Sequence, residues 1–312
     1  MEKVFITGGA GYVGARLVPR LLEEGYQVRV FDLMIYGESV FDNIQNKENL
    51  ELVKGDIRNI DLLKQSLQEV DTVIHLACIS NDPSFELNPS LGKEINLDAF
   101  RPMVEAAREV GVKRFIYASS SSVYGVKDKA DVVEEDLLEP LTDYSKFKAD
   151  CEKILAEYQS DNFTTVTVRP ATVCGYSPRQ RLDVIVNILT NHAYNNGVIK
   201  VFGGEQLRPN IHIEDMVDCY LMLLEIPKEK IAGEIYNAGY FNYKVKDIAE
   251  VVKNKIGKPV KVETVSTDDN RSYHISSRKI YDDLGFKAKR SIEDAVNDLR
   301  IAFEEGKLPD SM

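Results

Sequence analysis

A tyrosine and a lysine four residues apart, Tyr144 and Lys148, could together carry out acid–base chemistry. Side chains at positions i and i+4 project from the same side of a helix. An ammonium group nearby stabilises a phenolate, and a tyrosine acts as a base at neutral pH once its pKa falls from about 10 to about 7. The serines Ser119 to Ser122 follow a strand-like segment, where a hydroxyl can hydrogen-bond the reacting oxygen.

The spacing of tyrosine and lysine is weak evidence by itself, because a chain with 15 tyrosines produces it by chance. A second pair with the same spacing, Tyr240 and Lys244, follows a glycine in a loop-like stretch and has no serine-rich strand end before it. We therefore favour Tyr144 and Lys148 as the chemical pair.

The segment from Tyr144 to Tyr158 has the spacing of a helix, and Thr142 or Asp143 can cap its first turn. This helix would place the side chains of Tyr144 and Lys148 beside each other.

A glycine-rich turn lies near the N-terminus, after the apolar run at residues 4–6. Gly8 permits a tight turn, Gly11 lets the backbone approach a pyrophosphate, and Gly14 lets a helix pack closely on the first strand. The free N–H groups at the start of that helix face phosphates. The pattern predicts a dinucleotide site in which Tyr12 and Val13 also make contacts.

Residues 27–32 predict a second strand, and Asp32 falls at its end, about 20 residues past the glycines. A carboxylate there accepts hydrogen bonds from both ribose hydroxyls and repels a 2′-phosphate, so the cofactor is expected to be NAD rather than NADP. The positive nicotinamide ring and Lys148 would then lower the pKa of Tyr144, and Lys148 can also hold the nicotinamide ribose.

Strand-like and helix-like segments alternate along the chain, with further strands predicted at 50–54, 72–77, 114–118 and 164–169. A helical pattern from Ile95 to Val110 contains Pro102, which is expected to kink or restart the helix. The alternation predicts an α/β fold, a Rossmann-type doubly wound parallel sheet. Ligands bind outside the carboxyl ends of such strands.

Composition narrows the function classes. The chain has 312 residues, of which 44% are hydrophobic, and a formal net charge of −11. The absence of a basic run makes nucleic acid and anionic membranes poor partners. We expect a cytoplasmic protein, since no secretory signal or membrane-spanning run is evident. The cysteines, expected to be reduced structural thiols without metal-ligand spacing, are Cys78, Cys151, Cys174 and Cys219.

Taken together, these motifs resemble the extended short-chain dehydrogenase/reductase family, in its NAD-dependent nucleotide-sugar epimerase/dehydratase branch, over almost the whole chain. The resemblance is carried by Gly8, Gly11 and Gly14, Asp32, residues 55–57 and 75–77, the serines before the Val-Tyr-Gly at 123–125, Tyr144 and Lys148, and the Arg-Pro at 169–170.

The resemblance implies that Ser120 completes a catalytic set with Tyr144 and Lys148. It also implies a division into an NAD-binding Rossmann domain (1–172, with returns to its sheet from about 210–239) and a smaller interleaved α/β substrate domain (mainly 173–312). The expected cofactor contacts are Gly8, Gly11, Tyr12, Val13, Gly14, Asp32, Asp56, Ile57, Leu76, Ala77, Asn96, Tyr144 and Lys148.

The same resemblance implies that the substrate is a nucleotide-diphosphate sugar. Arg208 and Arg271 would meet its diphosphate, since a planar guanidinium binds phosphate oxygens at two points. Arg179 or Arg181 could also reach the nucleotide, although a solvated loop is an equal alternative. Thr172 stands where many relatives have asparagine, which changes one sugar or diphosphate contact.

Ser121 and Ser122 stand where 4,6-dehydratases have an adjacent Asp-Glu pair. Water elimination needs a second acid/base pair, so dehydratase activity is disfavoured. A sugar-acid decarboxylase would also need a carboxylate there.

Three interpretations remain. The first is an epimerase acting at carbon 4 of a nucleotide hexose through a 4-keto intermediate, with Tyr144 as base. The second is a 4-dehydrogenase or ketoreductase that performs half of this cycle and releases its product. The third is a non-catalytic NAD-binding regulatory protein, which the complete set of Ser120, Tyr144 and Lys148 disfavours. Family frequency favours the epimerase, and relatives pair two helices across a two-fold axis, which implies a homodimer.

Overall fold

Seven parallel strands form the central sheet of the protein, which a computed structural model describes for residues 1–80, 85, 87–267 and 272–308. Their order across the sheet is β10-β6-β5-β4-β1-β2-β3. The strands are β1 (Lys3–Thr7), β2 (Gln27–Asp32), β3 (Leu50–Lys54), β4 (Thr72–His75), β5 (Arg114–Ala118), β6 (Thr164–Pro170) and β10 (Glu234–Ala238). The strand order reverses between β1 and β4, and the carboxyl ends of these two strands are where such sheets bind ligands.

Helices cover both faces of this sheet. The helices are α1 (Gly14–Glu23), α2 (Ile60–Ser66), α3 (Pro89–Lys93), α4 (Phe100–Glu109), α5 (Asp143–Ala156), α6 (Ile185–Asn196), α7 (Ile213–Glu225), α8 (Val245–Lys255), α9 (Arg278–Leu284) and α10 (Ile292–Glu304). Helices α1 and α7 pack together in one apolar core, and α2, α4 and α5 in another. Because both faces are covered, β1 has a continuous buried apolar run, Val4 to Ile6.

Two smaller sheets lie beyond β6. The first has three strands, β7 (Thr172–Cys174), β9 (Leu207–His212) and β11 (Phe241–Lys244), and the second pairs β8 (Val198–Phe202) with β12 (Lys261–Val265). Helices α6, α8 and α10 form a third apolar core with them. The chain therefore leaves the main sheet after β6 and returns to it through β10, which pairs with β6.

The doubly wound parallel fold expected from the sequence is confirmed. Two details differ from expectation. Strand β4 ends at His75, so Leu76 and Ala77 belong to the loop beyond it. The helical segment before α4 widens into a π-helical turn at Glu94–Asp98, and Pro102 lies in the first turn of α4. Proline has no N–H to donate to the Asp98 carbonyl, and the expected restart of the helix occurs there.

Candidate active site

A cleft of about 1270 Å³ opens at the carboxyl ends of the central strands. It brings together residues that are far apart in the sequence but were singled out for their chemistry. Those lining it are Gly8, Gly11, Tyr12, Val13, Gly14, Asp32, Asp56, Ile57, Leu76, Ala77, Ser120, Ser121, Ser122, Tyr144, Lys148, Thr172, Arg179, Arg181 and Arg208.

The glycine-rich turn between β1 and α1 has the geometry expected of a phosphate-binding loop. Gly8 has φ +73°, and a Cβ there would lie 2.7 Å from the Ala77 nitrogen. A Cβ on Gly14 would overlap the Gly9 carbonyl, whereas one on Gly11 would meet only the Gly8 oxygen at 3.1 Å. Within the described residues, the backbone N–H groups of Tyr12 and Val13 donate to no backbone acceptor. These N–H groups suit the pyrophosphate of a dinucleotide.

Asp32 ends β2 beside this turn. Its Oδ2 accepts a hydrogen bond from the Ala10 N–H at 3.1 Å, and its Oδ1 accepts one from the Met34 N–H at 2.9 Å. A carboxylate has about four acceptor positions, so these two bonds orient Asp32 and leave capacity for ribose hydroxyls.

Asp56 and Ile57 lie on the same side of the cleft as Asp32. Three hydrogen bonds from the Arg58 guanidinium to Asp56, at 3.0, 3.1 and 2.6 Å, hold the pKa of this carboxyl below its ordinary value.

Asn96 differs from expectation, because it does not line the cleft. It is buried, and its amide exchanges two hydrogen bonds of 2.9 Å with the backbone of Ile79, which does line the cleft. Asn96 therefore fixes the loop after β4, which forms part of the cleft wall.

The catalytic candidates meet at the start of α5. Thr142 caps this helix by accepting a hydrogen bond from the Ser145 N–H. The Lys148 Nζ lies 5.9 Å from the centre of the Tyr144 ring and donates a 2.6 Å hydrogen bond to the Ala118 carbonyl at the end of β5. The Ser120 hydroxyl lies close enough to the Tyr144 phenol to lower its pKa. Strand β5 and helix α5 thus bring all three side chains to one place.

The Lys148 ammonium lowers the pKa of Tyr144, as expected, but the net shift of this pKa is upward. Burial raises the pKa of the phenol above its ordinary value, and the opposing effects of the Lys148 ammonium and the Ser120 hydroxyl do not offset it. The protein alone therefore holds Tyr144 protonated at neutral pH. An oxidised nicotinamide ring bound in the cleft would add positive charge that favours the phenolate.

Two neighbours of this group were not singled out from the sequence. Ser145 donates a 2.9 Å hydrogen bond to the Ser122 hydroxyl, which also contacts the Ser120 hydroxyl at 2.9 Å. Cys78 lines the cleft close enough to Lys148 to raise the pKa of its ammonium group. The motif Tyr144-Ser145 was visible, but the serine–serine contact spans 23 residues and depends on the fold.

A buried ion pair lies directly behind the serines and was also missed. Arg169 on β6 and Glu152 on α5 form a 2.7 Å contact with side chains that are 3% and 4% exposed. Glu152 also accepts a hydrogen bond from the Ser119 hydroxyl, and Arg169 donates to the Tyr124 hydroxyl at 2.7 Å. The pair therefore connects α5, β6 and the serine stretch.

The arginines occupy the side of the cleft formed by the chain beyond β6. Arg181 forms two hydrogen bonds, of 3.0 and 2.7 Å, with Asp183, and it is close enough to Tyr144 to lower the pKa of the phenol. The guanidinium of Arg208 lies 5.3 Å from the centre of the Tyr273 ring. Arg271 lies outside the described residues.

The alternative pair Tyr240 and Lys244 does not line the cleft. Tyr240 is 40% exposed, and Lys244 forms an ion pair with Glu205 at 2.8 Å. The choice of Tyr144 and Lys148 over this pair agrees with the geometry.

Among the described residues, no group of three or more His, Cys, Asp or Glu side chains could hold a metal ion. No helix in the same part of the chain has the length and apolar character needed to cross a membrane. All four cysteines are free thiols.

A doubly wound sheet with a glycine turn, a strand-end aspartate and a Ser-Tyr-Lys group defines a dinucleotide-dependent enzyme of the short-chain dehydrogenase/reductase class. The model of the NAD dependent epimerase/dehydratase family matches residues 4–239, and the chain belongs to this family. Its cofactor is NAD, as expected from the sequence.

Similar proteins cover nearly the whole chain. The UDP-glucose 4-epimerase of Lactobacillus helveticus is 26% identical over 94% of each chain. The dTDP-D-glucose 4,6-dehydratase of Bos taurus is 27% identical over 92% of this chain and 84% of its own. Among solved structures, the Bacillus cereus UDP-glucuronic acid 4-epimerase in complex with UDP-glucuronic acid and NAD has a TM-score of 0.84, with 27% identity over 97% of this chain and 99% of its own.

Proposed function

We propose that the protein is an NAD-dependent nucleotide-sugar epimerase that acts at carbon 4 of a nucleotide-linked hexose through a transient 4-keto intermediate. The observation that carries this proposal is the grouping of Ser120, Tyr144 and Lys148 in the cleft that also holds the glycine turn and Asp32. These residues provide both a dinucleotide site and a proton-transfer site.

Tyr144 takes the proton of the carbon-4 hydroxyl as that carbon is oxidised, and returns it when the ketone is reduced. NAD held by the glycine turn and Asp32 would supply the redox chemistry at carbon 4, as the acceptor and then the donor of a hydride. Ser120 hydrogen-bonds the reacting oxygen, which fixes its distance from the Tyr144 phenol. The Lys148 ammonium stabilises the phenolate form of Tyr144 and is held in place by the Ala118 carbonyl.

Arg208 and Arg271 are proposed to hold the diphosphate of the substrate. A doubly anionic group needs local cations to bind a protein with a net charge of −11, and a guanidinium matches phosphate oxygens at two points. Thr172 and Arg181 line the same cleft, and Arg181 is near Tyr144, which supports a role for them in binding the sugar.

The serine stretch supports epimerisation over elimination. Ser121 is buried, and the Ser122 hydroxyl is already hydrogen-bonded to Ser120 and Ser145. Neither side chain provides the carboxyl group that would remove a proton at carbon 5 and protonate a departing hydroxyl.

Product analysis tests the proposal. An epimerase regenerates its oxidised cofactor in every cycle, so a panel of UDP-, GDP-, CDP- and dTDP-hexoses should yield a carbon-4 epimer by NMR with no net absorbance change at 340 nm. Stoichiometric NADH and a released keto sugar would instead identify a dehydrogenase. Conversion of no hexose in the panel would favour a binding protein.

The choice of cofactor is tested at Asp32. The unmodified protein is expected to bind NAD far more tightly than NADP, because the carboxylate repels a 2′-phosphate. Asp32→Asn should lower the ratio of NAD affinity to NADP affinity by about 10-fold or more, since juxtaposed like charges cost several kcal/mol. Titration calorimetry with both dinucleotides measures the effect, and equal affinity of the unmodified protein for the two would refute the assignment.

A further inference from the structure

Tyr36 and Arg179 meet across the cleft. Tyr36 lies in the loop that follows Asp32, on the cofactor side, and Arg179 lies in the segment between β7 and α6, on the substrate side. The central guanidinium carbon is 3.4 Å from the centre of the Tyr36 ring, which is a close cation–π contact. Tyr36 is 63% exposed, so the contact closes the outer edge of the cleft.

The segment that carries Arg179, residues 175–181, is also attached to the glycine turn. The Tyr12 hydroxyl donates a 2.7 Å hydrogen bond to the Gly175 carbonyl, and the Ser177 hydroxyl donates one of 2.7 Å to the Tyr12 carbonyl. Asn187 at the start of α6 donates to the Tyr12 hydroxyl at 3.1 Å. We call residues 175–181 the strap, because they run from the glycine turn, which suits a pyrophosphate, to the loop beyond Asp32, which suits a ribose.

Arg179 has a polar atom that lacks a partner. Its Nε is buried and finds no acceptor among the residues that the structure describes, while its Nη1 donates to the Gln180 carbonyl. A buried donor on a charged group is costly to leave unpaired. A phosphate oxygen of a ligand in the cleft is the acceptor that would satisfy this guanidinium.

We propose that the strap covers the adenosine–pyrophosphate half of bound NAD, and that the Tyr36–Arg179 contact latches it and slows release of the cofactor. In this arrangement the face of the guanidinium packs on Tyr36, while its buried Nε is left without an acceptor among the described residues. The stacking ring holds the cation in a fixed orientation, and each partner therefore depends on the other. The inference concerns dinucleotide release and holds whichever sugar reaction the enzyme performs.

The test measures the rate at which NADH leaves the protein. The complete protein is loaded with fluorescent NADH and chased with excess NAD, and the decay of fluorescence is followed. Tyr36→Ala should release NADH about 10-fold faster, a change equal to about 1.4 kcal/mol. Tyr36→Phe keeps the ring and should release it at the unmodified rate. Tyr281→Ala, which removes another exposed tyrosine outside the cleft, is the matched control and should also be unchanged.

A double-mutant cycle separates a latch from two independent contacts. Arg179→Ala should also speed release, and the variant lacking both side chains should be no faster than the faster single variant, because either change opens the same latch. Release from Tyr36→Ala at the unmodified rate would overturn the proposal. The proposal would also be overturned if the fold-increase in NADH release of the double variant equalled the product of the two single fold-increases, because the two residues would then act independently.

Discussion

Replacing Tyr144 with phenylalanine is expected to lower kcat by about 100- to 10,000-fold, the range typical of a lost acid–base group. The change removes only the hydroxyl that exchanges a proton with the sugar. The ring stays beside Lys148 and should preserve the fold and NAD binding. Steady-state kinetics with the nucleotide hexose that the enzyme converts, together with NAD binding by calorimetry, measures both effects.

Tyr240→Phe is the control for this change. Tyr240 has the same spacing to a lysine but lies outside the cleft, and its partner Lys244 pairs with Glu205. Its substitution should leave kcat close to that of the unmodified protein. A large loss from Tyr240→Phe with little loss from Tyr144→Phe would show that the wrong pair was chosen.

The second large effect concerns stability. Glu152→Ala is expected to lower the free energy of unfolding by about 3–5 kcal/mol, because it leaves the buried Arg169 without its counter-charge. The same change also removes the acceptor of the Ser119 hydroxyl, next to Ser120. Urea unfolding followed by circular dichroism measures the loss as a shift in the midpoint at unchanged slope.

A matched control lies on the same helix. Asp150 forms a 3.0 Å ion pair with Lys153, but their side chains are 45% and 72% exposed. Exposed pairs contribute about 0–1 kcal/mol, so Asp150→Ala should shift the unfolding midpoint little. Equal urea midpoints for Glu152→Ala and Asp150→Ala would mean that the buried Glu152–Arg169 pair contributes no more to stability than the exposed pair.

The sequence predicted the parts of the fold that depend on local pattern. Strands β2, β3 and β5 have the predicted limits. The interiors of β2 and β5 are buried, as expected of short parallel strands covered on both faces, whereas β3 is a partly exposed edge strand. The glycine turn was also predictable from the sequence, because the positive φ of Gly8 and its close approach to neighbouring backbone exclude residues with a side chain. Spacing singled out Tyr144 and Lys148, the family resemblance added Ser120, and all three line the same cleft.

The parts that were missed depend on contacts between distant segments. Glu152 and Arg169 look like ordinary surface charges in the sequence, and only packing of α5 against β6 buries them together. The upward shift of the Tyr144 pKa is caused by burial, and the spacing of residues in the sequence does not reveal burial. Tyr36 and Arg179 are separated by more than 140 residues, and their contact depends on how the strap crosses the cleft.

Isotope transfer tests the proposed 4-epimerisation most directly. The nucleotide hexose that the enzyme converts is prepared with deuterium at carbon 4, and the products are examined by NMR and mass spectrometry. If the 4-keto sugar is formed and reduced on the same protein, the epimer should retain deuterium at carbon 4 in full, with none in solvent or in free NADH. Two results would contradict the proposal. One is an epimer in which ordinary hydrogen has replaced the deuterium at carbon 4, and the other is deuterium in released NADH together with a free keto sugar.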